Sequence, residues 1–133
     1  MKNLKAKDIM TRPVVSARRN ASARDIAMQL LSGLYSGMPV TDDDGKVIGV
    51  VTEFDLLGQL CEGKELEKLT AADVMSKGPL SADVNTPLQD LLNTMMENKI
   101  VRLPVTEEGR LAGVIARCDI LKAYMEPEFV TYM

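Results

Sequence analysis

Two acidic residues occupy the same place in a phrase that this chain uses twice. Asp55 lies six residues after Gly49 in Gly49-Val50-Val51-Thr52-Glu53-Phe54-Asp55-Leu56-Leu57. Asp119 lies six after Gly113 in Gly113-Val114-Ile115-Ala116-Arg117-Cys118-Asp119-Ile120-Leu121, an offset of 113 − 49 = 64. A β-branched pair, a polar residue and a new apolar periodicity read as a strand running straight into a helix. At such a junction free N–H groups and the positive end of the helix dipole face whatever lies beyond the strand, a place suited to an anion. A carboxylate there can accept hydrogen bonds from both vicinal hydroxyls of a ribose, while the Thr52 hydroxyl and the first helical amides can hold a phosphate. Strand edges at Val14, Val15, Ser16, Tyr35, Gly37, Met38 and Pro39 can clamp a flat base through the backbone. Leu80, Ser81, Val101, Arg102, Leu103 and Pro104 are their counterparts in the second copy. Thr52-x-x-Asp55 is also a capping box, which needs no ligand, and the two roles can coexist.

The copies differ where charge matters. Ala116 replaces Thr52, removing a hydroxyl, and Arg117 replaces Glu53, offering a bidentate phosphate contact where the first copy has a repelling carboxylate turned to solvent. The expected sites are therefore unequal. Asp119 and Arg117 serve a phosphorylated ligand, whereas the Asp55 site takes fewer phosphates or stays empty.

Repetition extends along the chain. Asp8-Ile9-Met10 returns as Asp73-Val74-Met75, and Pro39-Val40-Thr41 as Pro104-Val105-Thr106, both at an offset of 65. In each copy a leading segment and a Pro-containing linker (Thr11-Arg12-Pro13, Ser76-Lys77-Gly78-Pro79) precede a short extended piece, Val14-Val15-Ser16 or Leu80-Ser81. A helix follows. Ile26, Leu30, Leu31 and Leu34 form the apolar stripe of the first, and Leu88, Leu91, Leu92, Met95 and Met96 that of the second. Thr86-Pro87-Leu88-Gln89 predicts a helix with threonine at the N-cap and proline at the first helical position. A strand, an acidic turn (Asp42-Asp43-Asp44-Gly45, Glu107-Glu108-Gly109) and the strand–helix junction complete the copy. Each copy thus reads β-α-β-β-α, in the α/β class. Residues 1–62 form the first repeat, 63–72 a charged connector and 73–133 the second repeat with its tail. In that tail Pro127 is expected to end the last helix, and Phe129 and Tyr132 to dock on a neighbour.

The totals narrow the chemistry. At 133 residues, 46 % apolar and 26 % charged, two halves of about 65 residues are expected to form one structural module. A net charge of −3 and aromatic residues at 4 % argue against a nucleic-acid partner. Histidine is absent, removing the commonest general base and metal ligand. Cys61 and Cys118 lack ligand spacing and are expected as small buried hydrophobes in a reducing compartment. The three aspartates lack the glutamate that a calcium loop requires at its twelfth position, since Glu53 belongs to the junction, so no metal is expected. No signal-like or membrane-spanning apolar run occurs, which points to the cytoplasm. Arg12, Arg18, Arg19, Lys77 and Lys99 read as surface charges.

The ordered recurrence of Asp-x-Met, of Met38-Pro39-Val40 and Leu103-Pro104-Val105, and of the glycine-to-aspartate phrase resembles a tandem pair of CBS (cystathionine-β-synthase) domains, a Bateman module, over roughly residues 6–125. The resemblance implies two repeats about a pseudo-two-fold axis, intertwined in one module that commonly dimerises. It also implies clefts for adenosine-containing ligands: AMP, ADP, ATP or S-adenosylmethionine. The expected function is a regulatory sensor with no obligatory cofactor, in which an adenine nucleotide acts as regulatory ligand and occupancy is transmitted to an effector protein of unknown identity. A ligand-free interaction or dimerisation module is the alternative. With no histidine, no paired nucleophile and no glycine-rich phosphate loop, an enzyme is not expected.

Overall fold

The structure, a computed structural model, describes residues 3–12, 14–33 and 35–125; Pro13, Leu34 and the tail from Glu126, with its Pro127, Phe129 and Tyr132, lie outside them. The elements run α1 (Ala6–Ile9), β1 (Ala17–Arg18), α2 (Ala23–Gly33), β2 (Gly37–Thr41), β3 (Val47–Thr52) and α3 (Glu53–Cys61) in the first half. After a 3-10 turn at Leu66–Lys68 come α4 (Ala71–Val74), β4 (Ser76–Lys77), β5 (Ala82–Asp83), α5 (Leu88–Asn98), β6 (Arg102–Glu107), β7 (Arg110–Ala116) and α6 (Arg117–Met125). Both halves contain the expected β-α-β-β-α pattern.

The compact units are not cut where the repeats are. One comprises residues 15–79, the other residues 1–14 with 80–133. Each unit therefore takes its short leading helix from the chain segment that precedes the opposite repeat. In the 15–79 unit, backbone bonds Ala23 N–H to Leu69 O (2.8 Å) and Ala71 N–H to Ala21 O (2.8 Å) tie α4 to α2. In the other unit, Leu88 N–H to Leu4 O (2.9 Å) and Ala6 N–H to Thr86 O (2.9 Å) tie α1 to α5 in the same way. These bonds satisfy amides that helix starts leave open.

A thioether over a glycine seats each leading helix. A Cβ on Gly49 would collide with Met75 Sδ and stand 2.9 Å from the Ser76 carbonyl oxygen; one on Gly113 would collide with Met10 Sδ. The two repeated motifs noticed in the sequence are thus packing partners, crosswise: Met75 on Gly49, Met10 on Gly113. Asp8 and Asp73 hold the same helices at their N-termini, accepting from Lys5 N–H and Thr70 N–H at 2.8 Å each. The Thr70 amide and hydroxyl hold the Asp73 carboxyl below its ordinary range.

Each sheet is short. In the 15–79 unit β1 pairs parallel with β2 only at Ala17–Val40 and Arg18–Thr41, β3 runs antiparallel on the other side of β2, and β4 adds to β3. In the other, β5 pairs with β6 at Ala82–Val105 and Asp83–Thr106, and β6 with β7. The expected strands at Val14–Ser16 and Leu80–Ser81 begin later, at Ala17 and Ala82. Pro39 and Pro104, one step before each parallel contact, have no N–H with which to extend it. The core of one unit is Ile26, Leu30, Met38, Val40, Val51 and Leu56; Leu91, Leu103, Val105, Ile115 and Ile120 fill that of the other.

Three expectations are corrected. The apolar stripes are narrower than their periodicity suggests, because Leu31 and Met96 are 67 % and 70 % exposed. Helix α5 begins at Leu88 with Pro87 as N-cap, since the Thr86 hydroxyl turns back to accept from Asp83 N–H (3.1 Å). Both cysteines are exposed rather than buried, on the outer sides of α3 and α6.

Gly49→Ala is expected to destabilise the protein by about 1–3 kcal/mol, because the new methyl meets backbone as well as side chain. Gly113→Ala should cost less, since the nearest atoms to the new methyl all belong to the Met10 side chain. Urea unfolding of the two variants checks the order.

Candidate functional site

Each junction is built from the last residue of a strand and the third residue of the helix that follows. Thr52 stands in extended conformation as N-cap of α3. Its N–H donates to Asp55 Oδ2 at 2.9 Å, its hydroxyl donates to the same oxygen at 3.0 Å, and that hydroxyl accepts Asp55 N–H at 3.2 Å. The capping box is formed in full. At the second junction Ala116 N–H donates to Asp119 Oδ2 at 2.7 Å, but Ala116 carries no hydroxyl to receive the Asp119 N–H. The first helical amides are also spoken for: Glu53 N–H bonds Ser36 O (3.0 Å) and Arg117 N–H bonds Val101 O (3.2 Å). Helix α3 thus has fewer free donors at its start than α6.

A second paired difference lies across the hairpins. Gly37 faces Thr52 in the β2–β3 register, where an added Cβ would stand 2.9 Å from Val51 O and 3.3 Å from Thr52 Cγ2. The matching pair is Arg102 opposite Ala116. Arg102 thus stands at the register position that a glycine fills in the first unit. Arg102 and Arg117 therefore flank Ala116 in register and in sequence, where the first junction has Gly37 and Glu53. Glu53 and Arg117 are both exposed. Sequence reading named Arg102 without its link to Ala116, which only the register discloses.

The residues expected to clamp a base are disposed alike in the two units. Val15, Ser16, Leu80 and Ser81 are exposed and precede the two-residue parallel ladders, leaving the β2 edge at Gly37–Pro39 and the β6 edge at Arg102–Pro104 beyond those ladders. Tyr35 is half-buried against the core of its unit. Met38 and Leu103 are sealed in the cores, so only their backbone can meet a ligand. Residues Ser16, Tyr35, Gly37, Met38, Pro39 and Asp55 share one unit; Leu80, Val101, Arg102, Pro104, Arg117 and Asp119 share the other.

The acidic turn faces inward on itself. Asp42 Oδ1 accepts Asp44 N–H (2.9 Å) and Lys46 N–H (3.0 Å), and the Lys46 amide leads in drawing the Asp42 carboxyl below its usual range. Arg18 pairs with Asp43 at 3.2 Å, an exposed contact worth little. Among the described residues, no three His, Cys, Asp or Glu side chains are grouped to hold a metal. No described helix is long and apolar enough to cross a membrane.

The CBS-domain family model matches this chain twice, at residues 6–62 and 71–126. The chain belongs to the CBS-domain family. CBSX2 from Arabidopsis thaliana in complex with AMP superposes with a TM-score of 0.83 at 27 % identity, over 94 % of this chain and 98 % of that one. The CBS domain pair of protein MJ0100, with 5′-methylthioadenosine and S-adenosyl-L-methionine, gives 0.79 at 25 %, over 90 % and 98 %. Hypoxic response protein 1 of Mycobacterium tuberculosis is 26 % identical over 96 % of this chain and 90 % of its own length; the same-named protein, solved with two coordinated zinc ions, gives 0.81. An uncharacterised protein of Methanocaldococcus jannaschii is 30 % identical over 90 % of this chain, which spans 42 % of that relative's length. Enzymes also match, but this chain covers only 17 % of the inosine-5′-monophosphate dehydrogenase of Mycobacterium tuberculosis.

Thr52→Ala is expected to cost about 1 kcal/mol through loss of the α3 cap, read from denaturant unfolding. An unchanged midpoint would mean that the Thr52 hydroxyl contributes nothing to the junction.

Proposed function

We propose that this CBS pair is a non-catalytic regulatory module that binds an adenosine-containing ligand at the Asp55 and Asp119 junctions. The observation that carries the reading is the twice-built strand–helix corner, each with a carboxylate fixed at the third helical position and bonded to the last strand residue. A diol can bond the carboxylate, a base can bond the backbone of Gly37–Pro39 or Arg102–Pro104, and a phosphate can face the helix start. The AMP complex of CBSX2 and the adenosyl ligands of the MJ0100 pair support the adenosine class.

The phosphorylated ligand is assigned to the Asp119 junction. Arg102 and Arg117 flank Ala116 there, and an arginine pair suits phosphate better than the Gly37 and Glu53 of the first junction. The Thr52 hydroxyl can serve a phosphate only by leaving the Asp55 cap, so the first junction takes a ligand with fewer phosphates. Occupancy is read by an effector protein through differential affinity for two arrangements. Exposed apolar side chains on α3 (Phe54 at 83 %, Leu57, Leu60) and α6 (Leu121, Met125) support homodimerisation. The same faces favour the second reading, a ligand-independent interaction module. A cytoplasmic location goes with this role.

A thermal-shift panel of AMP, ADP, ATP, NADH and S-adenosylmethionine tests the proposal. A ligand at 100 times its Kd stabilises by about 2.7 kcal/mol, several degrees in Tm, and Asp119→Ala should lose most of that shift for phosphorylated ligands. Stabilisation by none of them, or equal stabilisation of variant and wild type, contradicts the nucleotide reading.

A further inference from the structure

We infer that Ser76 is a specificity-determining residue that competes with a ligand's diol for Asp55, so that Asp119 is the first of the two carboxylates to load. The inference rests on the diol-binding role proposed above. It follows from how each carboxylate is already used. A carboxylate offers roughly four lone-pair positions. At Asp55, Oδ2 receives both Thr52 N–H and the Thr52 hydroxyl, and Oδ1 faces the Ser76 hydroxyl at 3.5 Å. At Asp119 only Oδ2 is engaged, by Ala116 N–H. A vicinal diol needs two acceptor positions. Asp119 has them open, whereas Asp55 must first lose Ser76.

The placement of Ser76 is set by the fold. It lies in β4, opposite Val50 in the β3 register, so its backbone is pinned next to the strand that ends at Thr52. The residue in the same repeat position of the other unit is Thr11, whose backbone bridges Val114 with bonds of 2.9 and 3.3 Å. Its hydroxyl makes no described bond to Asp119. The two junctions thus have equivalent backbones, and the hydroxyl above the carboxylate is engaged in only one. At 3.5 Å the Ser76 contact is long, which suits a group that yields to a better donor pair rather than one that closes the site.

The test uses the full chain with AMP and 2′-deoxy-AMP, titrated calorimetrically. In an Asp119→Ala background, Ser76→Ala should tighten AMP about threefold, the scale of one long, weak hydrogen bond. Binding of 2′-deoxy-AMP, which has no vicinal diol, should not change. Backbone pairing of β4 does not need the serine side chain, so Tm should stay the same. Should Asp119→Ala not fold, Ser76→Ala in the otherwise native chain should bring the two AMP dissociation constants closer together. Equal gains for both nucleotides, no gain, or weaker AMP binding overturns the role of Ser76. A wild-type chain that binds no AMP fails the nucleotide reading itself, before any variant is compared.

Discussion

One contact recurs at four helix starts of this protein: the N–H at the head of a helix given to a carboxylate three residues on. It closes the junctions at Thr52–Asp55 and Ala116–Asp119 and the leading helices at Lys5–Asp8 and Thr70–Asp73. The bond sets the angle at which the chain leaves extended backbone and begins to wind, while meeting one of the amides a helix start leaves open. At the two junctions it does more. It holds a charged oxygen pair at the end of a strand, with one oxygen facing away from the cap. In the proposed scheme the structural cap and the ligand-binding carboxylate are one side chain.

From that corner the rest of the architecture follows. The strand behind it carries the glycine on which a methionine from the other repeat's leading segment rests. The paired strand carries a proline just before its short parallel ladder. Divergence between the copies is confined to what this scaffold tolerates. Ala116 stands in the place of Thr52 where the cap survives on the backbone N–H alone, and Arg102 stands opposite it where the first unit has Gly37. One corner became cationic while the other kept its hydroxyl, and the backbone of neither had to change.

The repeat, the order of elements and both carboxylates were legible in the sequence because they rest on local spacing that an offset of 64 or 65 displays directly. Pairing was not legible. An offset says that Met10 is equivalent to Met75, yet it cannot say that Met10 rests on Gly113 and Met75 on Gly49, since that choice is made by tertiary packing. For the same reason the link between Arg102 and Ala116 waits on strand register. Leu31 and Met96 fit a helical period but lie at the rim of it, where the core is too narrow to cover them. The cysteines follow suit: their small size suggested burial, but their positions on α3 and α6 face outward.

In the proposed scheme the two corners bind the same class of ligand with different strength. Isothermal titration of the wild-type chain with AMP measures the difference. A saturable, biphasic isotherm is expected, the tighter phase lost on Asp119→Ala and the weaker on Asp55→Ala. A flat isotherm, or two identical sites indifferent to either substitution, would contradict it.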